Sequence, residues 1–498
     1  MVCISAAAVR LAFPSVFIFK EDEARALEYA LRIARDHASF THTWPSSVGI
    51  ANSPVFVYLI APFAAISHSP QFVSLCMNLL NLASIGVAYA FFMRAFQNGR
   101  EARLSALFYA ISPMAVHYSR KIWDPVPAPL LAAVLMYAAL RVLERDRSRW
   151  IFPLLLGASL TAQLHQSGIF FVFLLMLAVA VHRPRLNAGW TAAGCVAAAA
   201  VAAPYLAYLC THGLGGASMV GHGLFSRLPD IDVVTNFLLD CTGHNIFAVA
   251  GYDSVPFLNW PLPGFGALVG LMMLLFLPVL CLGGRELARR SSLRVTRRPP
   301  FVRAGNASGY NLLLVCLFGQ PLLYLLFRVP GVAHYFLVLF PVLFCLIPLG
   351  ISRMERGGGG GRLARCAWIL PLLWIGISVS FTSMTAFRMG GYSYGPLYRY
   401  QQRIAGEVVG LREKLYDRPG VAPARTFAEA DTVALSIHAP RSRTGVPEQW
   451  RFVFREMYGY EPVEPETAPY FRVTLSWERS PWRRGTHRIE RIDAFNSD

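Results

Sequence analysis

Charged residues are scarce in this 498-residue chain, at 15%, where soluble domains carry about 25%. With 55% hydrophobic residues and a mean hydropathy of +0.42, that scarcity excludes an ordinary soluble protein. There is no GxxxxGK loop followed by Ser or Thr, and no GxGxxG opening a helix after a strand, so no nucleotide site is expected. The nine cysteines are scattered, mostly in apolar segments, with no CxxC pair and no His/Cys cluster at metal-ligand spacing. This argues against a structural zinc site or a disulfide framework. Cys210 and Cys241 flank one outer loop and could bridge its ends if that side is oxidising, but two unpaired thiols in apolar surroundings are the preferred reading. No internal repeat is visible.

What is abundant is long apolar sequence. Runs near 1–19, 72–93, 102–116, 125–143, 150–164, 168–181, 190–209, 264–282, 310–327, 332–349 and 367–387 give about eleven transmembrane helices. They are continuously apolar rather than alternating, so the class is an α-helical polytopic membrane protein and not a barrel. The run 54–67 is fourteen residues with Pro62 inside, which suits a re-entrant or juxtamembrane segment. Residues 1–19 lack a basic start and contain Arg10 and Pro14, so they read poorly as a cleaved signal.

The formal charge of +17 would fit a nucleic-acid partner, but the Arg and Lys residues sit in short stretches between apolar runs. Nucleic acid is therefore discounted, and the partner implied is the bilayer. If 54–67 does not cross, "RAFQNGREAR", "RVLERDRSR", "HRPR", "RELARRSSLRVTRR" and "SRMERGGGGGRLAR" all fall on one face, which the positive-inside rule makes cytoplasmic. The acidic loop 20–53, "SPMAVHYSRKIWD", the loop 211–263, "RVPGVAHY" and the tail then lie outside. Residues 1–387 form the membrane domain. Residues 388–498 turn polar, with "YRYQQRIAGEVVGLREKLYD" as an amphipathic helix and "TVALSIHA" and "YFRVTLSWER" as strands, which makes a small extracytoplasmic α+β domain. "RGGGGGR" reads as a flexible inner loop.

One outer stretch stands out. In "FIFKEDEARALEYALRIARD" an apolar segment ends at Glu21, Asp22 and Glu23, and Ala24, Leu27, Leu31 and Ala34 then recur at helical spacing, with Arg25 among the polar positions. A helix lying on the membrane surface is expected there. Taken alone, the acidic triplet is a helix start favoured by the macrodipole. Other outer stretches shift that reading: "HYSRKIWD" carries His117, Tyr118, Arg120 and Lys121, "AQLHQSG" carries His165, and "RVPGVAHY" carries Arg328, His334 and Tyr335. Singly these are interfacial anchors or helix-end groups. Together they set cations and imidazoles opposite carboxylates, which suits an anionic lipid-linked substrate whose phosphate is held by basic groups while a carboxylate serves as general base.

The same stretches carry a family resemblance. "KEDEARALEYALRIARD" resembles the first outer loop of the GT-C glycosyltransferases, the superfamily of dolichyl-phosphate-mannose protein mannosyltransferases and bacterial aminoarabinose transferases. "SSVGIANSPVFVYLIAPF", with Asn52, is similar to their N-x-P segment; "ISPMAVHYSRKIWD" resembles their SP…YSR segment and "AHYFLVLFP" their late RY-x-L segment, with His334 where many relatives have Arg. The resemblance runs over roughly residues 10–350. It implies that Asp22 is the base toward the acceptor, Glu23 its partner, and Arg120 and Lys121 part of a lipid-phosphate pocket. The expected activity is transfer of a sugar from a polyprenyl-phosphate donor to an acceptor the sequence does not name. No cofactor is required, and a divalent metal is compatible with the acidic triplet. The rival reading is a polytopic transporter or lipid flippase, disfavoured because most charge sits at helix ends rather than at the midplane.

Overall fold

The computed structural model describes residues 2–12, 14–46, 49–144, 148–213, 230–243, 245–246, 265–291, 307–329, 331–356, 369–387, 391–392, 395–416, 432–438, 448–458, 461–463, 471–477 and 487–494. The Gly-rich inner loop expected at 356–362 lies largely outside these residues.

The chain opens with α1 (Val2–Leu11), then runs extended through Phe19. This replaces the single span expected over 1–19. Pro14 has no N–H to continue a helical ladder, and the following segment pairs instead with the tail, Ile18 bridging Leu397. Next come α2 (Glu21–Asp36) and α3 (Val55–Ile66). At 12 residues α3 is ~18 Å long, too short to cross a ~30 Å core. That fits the non-crossing reading of 54–67.

Helices α4 (Pro70–Phe96), α5 (Gly99–Ile111), α6 (Pro113–Tyr118), α7 (Ala128–Leu143), α8 (Ile151–Leu164), α9 (Gln166–His182) and α10 (Ala188–His212) follow the apolar runs. The run expected at 102–116 is broken at Ser112–Pro113, where proline starts a new short helix. Later helices are Phe265–Arg290, Ala307–Leu326 and Ile369–Phe387. The run 332–349 is a 3-10 helix Ala333–Leu339 leading into Phe340–Leu343 and Leu346–Arg356, bent by 50° at the break. Among the described residues, α4, α10 and Ala307–Leu326 are long and apolar enough to cross a membrane, or four spans if the bent pair counts as one. Helices α7, α8 and α9 are apolar but shorter. The chain is a multi-pass membrane protein. A further helix, Asp232–Thr242, lies inside what reads in the sequence as a loop.

At one end of the bundle several described basic residues are paired. Glu286 receives Arg289, Arg290 and Arg356, and Arg290 also reaches Glu101 at 2.7 Å, tying Phe265–Arg290 to α5 and Leu346–Arg356. The described tail contains helices Tyr398–Tyr416 and Glu448–Tyr458, a two-residue hairpin pair β1 (Gly391–Tyr392) and β2 (Gly395–Pro396), and strands β3 (Thr432–His438), β4 (Glu461–Val463), β5 (Phe471–Trp477) and β6 (His487–Ala494). The sheet order is β4-β3-β5-β6, parallel except for the β5/β6 pair.

Two cores result. The larger fills the helix bundle. The second joins Phe17, Phe19, α2 and α3 to Tyr398, Ile404, Val408, Trp450 and Phe454 of the tail. The apolar face that the amphipathic pattern of α2 predicts is therefore covered by protein. The helix is sandwiched between α3 and the tail helix Glu448–Tyr458, and Ala26 and Ala30 are buried beside the expected Ala24, Leu27 and Leu31.

Candidate functional site

Lys20 ends the extended segment and caps α2 with φ −135° and ψ −162°. The next three carboxylates are sorted by the first helical turn into three directions. Glu21 points outward and pairs with Arg25 one turn along. Glu23 is fully buried; it accepts from the Lys20 backbone N–H at 3.3 Å and pairs with Lys121 at 3.5 Å. Capping the helix is thus the work of Glu23. Asp22, between them, is left to line a cavity of about 720 Å³.

The cavity lies between the loop after α2 and the ends of α8, α9 and α10. The loop forms a roof because its backbone is tied down on both sides. Thr43 N–H bonds to Asn52 O at 2.9 Å, Asn52 N–H to Trp44 O at 3.1 Å, and Tyr205 of α10 donates to Ala51 O at 2.7 Å. Ser53 donates to Gln163 at 3.1 Å and Gln166 to Ser46 at 3.3 Å, so α8 and α9 hold the same loop. Asn52, His165, His334 and Tyr335, all expected from the sequence, line the cavity with Asp22.

His165 caps α9: its ring accepts from the Ser167 N–H at 3.2 Å. Burial pushes its pKa down to about 4, so the imidazole is neutral. Its ring centroid is 5.6 Å from that of His334 and 5.4 Å from that of Tyr335. The Tyr335 carbonyl accepts from Tyr324 at 3.1 Å and from Gln320 at 3.3 Å, which fixes this wall to the helix Ala307–Leu326.

Asp124 also lines the cavity and escaped the sequence reading. Its only signal there is a carboxylate just before Pro125, downstream of Arg120 and Lys121. Burial first, and the Asp22 charge second, push its carboxyl up to about 8. Asp124 is therefore protonated at neutral pH, while the backbone and Lys121 only partly offset the shift. Both carboxyls, Asp22 and Asp124, line the same cavity.

The expected ring of cations does not line the cavity. Among the described residues its lining contains no Lys or Arg. The Arg120 guanidinium donates to Val9 O of α1 at 2.9 Å, and its own carbonyl accepts from Ser74 at 2.6 Å, because α6 ends against α1 and α4. Arg25 faces Glu21, and Arg328 sits at the end of Ala307–Leu326 with φ +53°. His117 and Tyr118 are buried in α6, with Tyr118 stacked on Trp123 at 6.3 Å. Lys121 comes close to the lining: its ammonium lies 4.3 Å from the ring centre of Trp123, which does line the cavity. Among the described residues no group of three or more His, Cys, Asp or Glu is placed to hold a metal.

The family model described as dolichyl-phosphate-mannose-protein mannosyltransferase matches residues 51–208, from the roof of the cavity to the end of α10. The crystal structure of ArnT from Cupriavidus metallidurans bound to undecaprenyl phosphate aligns with 95% of this chain and 92% of its own, at 11% identity and a TM-score of 0.54. The apo crystal structure of the same protein aligns over the same shares, at 11% identity and a TM-score of 0.44. At this identity the likeness is one of fold. No curated protein sequence is a significant match.

Proposed function

From a chain that resembles the GT-C membrane glycosyltransferases, we propose that it transfers a sugar from a polyprenyl-phosphate donor to an acceptor at the extracytoplasmic face. The observation that carries this reading is the sorting of the acidic triplet, which turns Asp22 alone into a cavity shared with a second carboxyl, Asp124. The likeness to a protein crystallised with undecaprenyl phosphate supports the donor class.

Asp22 takes the proton from the acceptor nucleophile as it attacks the anomeric carbon. The bond from that carbon to the phosphate oxygen breaks with its electron pair, and polyprenyl phosphate leaves with inversion of the centre. Asp124, protonated, donates a hydrogen bond to a substrate oxygen. Lys121, paired with Glu23 and 4.3 Å from the Trp123 ring, puts its positive charge behind that wall of the cavity, where it favours the departing phosphate. His165 stays neutral and orients rather than titrates. The apolar part of the lining, including Ile169, Phe170, Leu206 and Leu209, suits a polyprenyl chain. Basic loops on the opposite side support the extracytoplasmic orientation.

The binding half of this reading is tested by adding undecaprenyl phosphate to the detergent-purified protein. Specific binding at 100 times the Kd adds about 2.7 kcal/mol of stability and raises the Tm, whereas undecaprenol without phosphate does not. An equal rise with both lipids would reduce the site to an apolar groove.

Asp124 gives the reading a pH dependence. Its raised pKa keeps the donor proton below about pH 8 and loses it above, so the transfer rate falls on the alkaline side. Asp124→Asn keeps a donor that does not titrate and should retain transfer while flattening that limb. Rate measurements from pH 6 to 10 check this, and an alkaline limb unchanged in Asp124→Asn would assign the titration to another group.

A further inference from the structure

The extended segment Phe17–Phe19, which delivers the chain to Asp22, is held by the tail as well as by the membrane bundle, in whose core Ile18 packs. Tyr398 N–H donates to Phe17 O at 3.0 Å, Ile18 forms a bridge with Leu397, and the Gln401 side-chain amide donates to Phe19 O at 2.8 Å. Phe17 stacks on Tyr398 with centroids 5.2 Å apart, and Phe19 meets Phe452 of the second tail helix at 5.5 Å. Gln401 is 1% exposed, and its Oε1 has no partner among the described residues, so the bond to Phe19 is what its amide does. Phe19 is three residues from Asp22, with only Lys20 and Glu21 between them.

We propose that the tail beyond residue 388 is part of the catalytic unit, and that Gln401 is a positioning residue that sets where Asp22 enters the cavity. The inference rests on the proposed role of Asp22. The outer end of the same interface supports it: Arg455 meets Glu28 at 3.8 Å and Arg35 meets Glu456 at 2.9 Å, so the tail grips α2 over its length and not only at its start. A helix start held by neighbours 380 residues away moves with them, since Phe19 and Gln401 are separated by 382 positions.

The experiment uses the full chain with Gln401→Leu and Gln401→Glu, supplied with extracted polyprenyl-phosphate sugars and a membrane acceptor fraction. Gln401→Leu should bind undecaprenyl phosphate as the parent does but release it from the sugar about 10- to 100-fold more slowly, the scale expected for a base displaced by about an ångström. Amide exchange should rise in residues 17–24 and stay unchanged in α4. Gln401→Glu has a donor only when its carboxyl is protonated, so its rate relative to the parent at the same pH should climb as the pH is lowered. Parent-like rate and exchange in Gln401→Leu, or a ratio flat with pH in Gln401→Glu, would overturn the proposal. The parallel Asp22→Asn variant separates the two readings: retained transfer there removes the role of Asp22 itself, whereas loss there with a normal Gln401→Leu removes only the tail's part.

Discussion

Asp22→Asn should lower sugar transfer by about 10²- to 10⁴-fold, the usual contribution of a general base, with little change in the unfolding temperature. Asparagine has nearly the shape of aspartate and is as good a residue near a helix start, so the mere loss of charge at the first turn costs about 0.3 to 1 kcal/mol. The helix does not depend on Asp22 for its cap, because Glu23 already accepts from the Lys20 N–H. What asparagine lacks is a lone pair basic enough to take the acceptor's proton. Glu21→Gln provides the comparison. Glu21 is half-exposed and faces Arg25, and surface pairs of this type are worth about 0 to 1 kcal/mol. Its loss should leave the rate within about twofold, since it touches neither cavity nor cap. Near-normal turnover by a folded Asp22→Asn protein would end the mechanism, and a collapse confined to Glu21→Gln would mean that the other carboxylate faces the substrate.

The second large effect is on stability and belongs to Glu23. Glu23→Gln leaves the Lys121 ammonium, 1% exposed, without its counter-ion 3.5 Å away. Breaking a buried pair from one side typically costs about 3 to 5 kcal/mol. Lys121→Met alone strands the carboxylate instead and should cost a similar amount. The double variant removes both charges and keeps side chains of comparable length, so it should recover much of the loss. Thermal unfolding of the four proteins in one detergent gives the coupling directly. If the two single losses add in the double variant, the pair is not coupled, and Glu23 acts only as a helix cap. Glu23 and Asp22 thus separate by readout: one chiefly moves the melting temperature, the other the rate.

The helices were legible in the sequence where periodicity and length agree. The amphipathic run 23–38 is α2, the interrupted run 54–67 is the short α3, and the apolar runs from 72 to 209 are α4 to α10, with ends shifted by a few residues and the run 102–116 broken into α5 and α6. Asp22 was singled out by the resemblance of its stretch to the GT-C first outer loop, since the acidic triplet alone reads as a helix start, and it does line the cavity. Less legible was everything decided by contacts across the chain. Arg120 reads as a phosphate ligand when only its neighbours in sequence are seen, but α1 presents an open carbonyl at Val9 and the guanidinium takes it. Asp124 has no periodic or compositional signal at all, and only the fold, by burying it and setting it near Asp22, raises its pKa. The tail reads as a separate domain because its composition changes abruptly near residue 388. Its docking on Phe17, Phe19 and α2 depends on apolar residues that would equally serve a private core.

The measurement that bears most directly on the central claim is a transfer assay followed by mass spectrometry. Purified protein in proteoliposomes is given extracted polyprenyl-phosphate sugars and a membrane acceptor fraction, and the lipids are then examined for intact donor and free polyprenyl phosphate. A glycosyltransferase converts donor to polyprenyl phosphate, adds the sugar mass to an acceptor with the anomeric configuration inverted, and stops doing both in Asp22→Asn. A donor that stays intact while moving from one leaflet to the other would contradict the account and make the protein a lipid flippase.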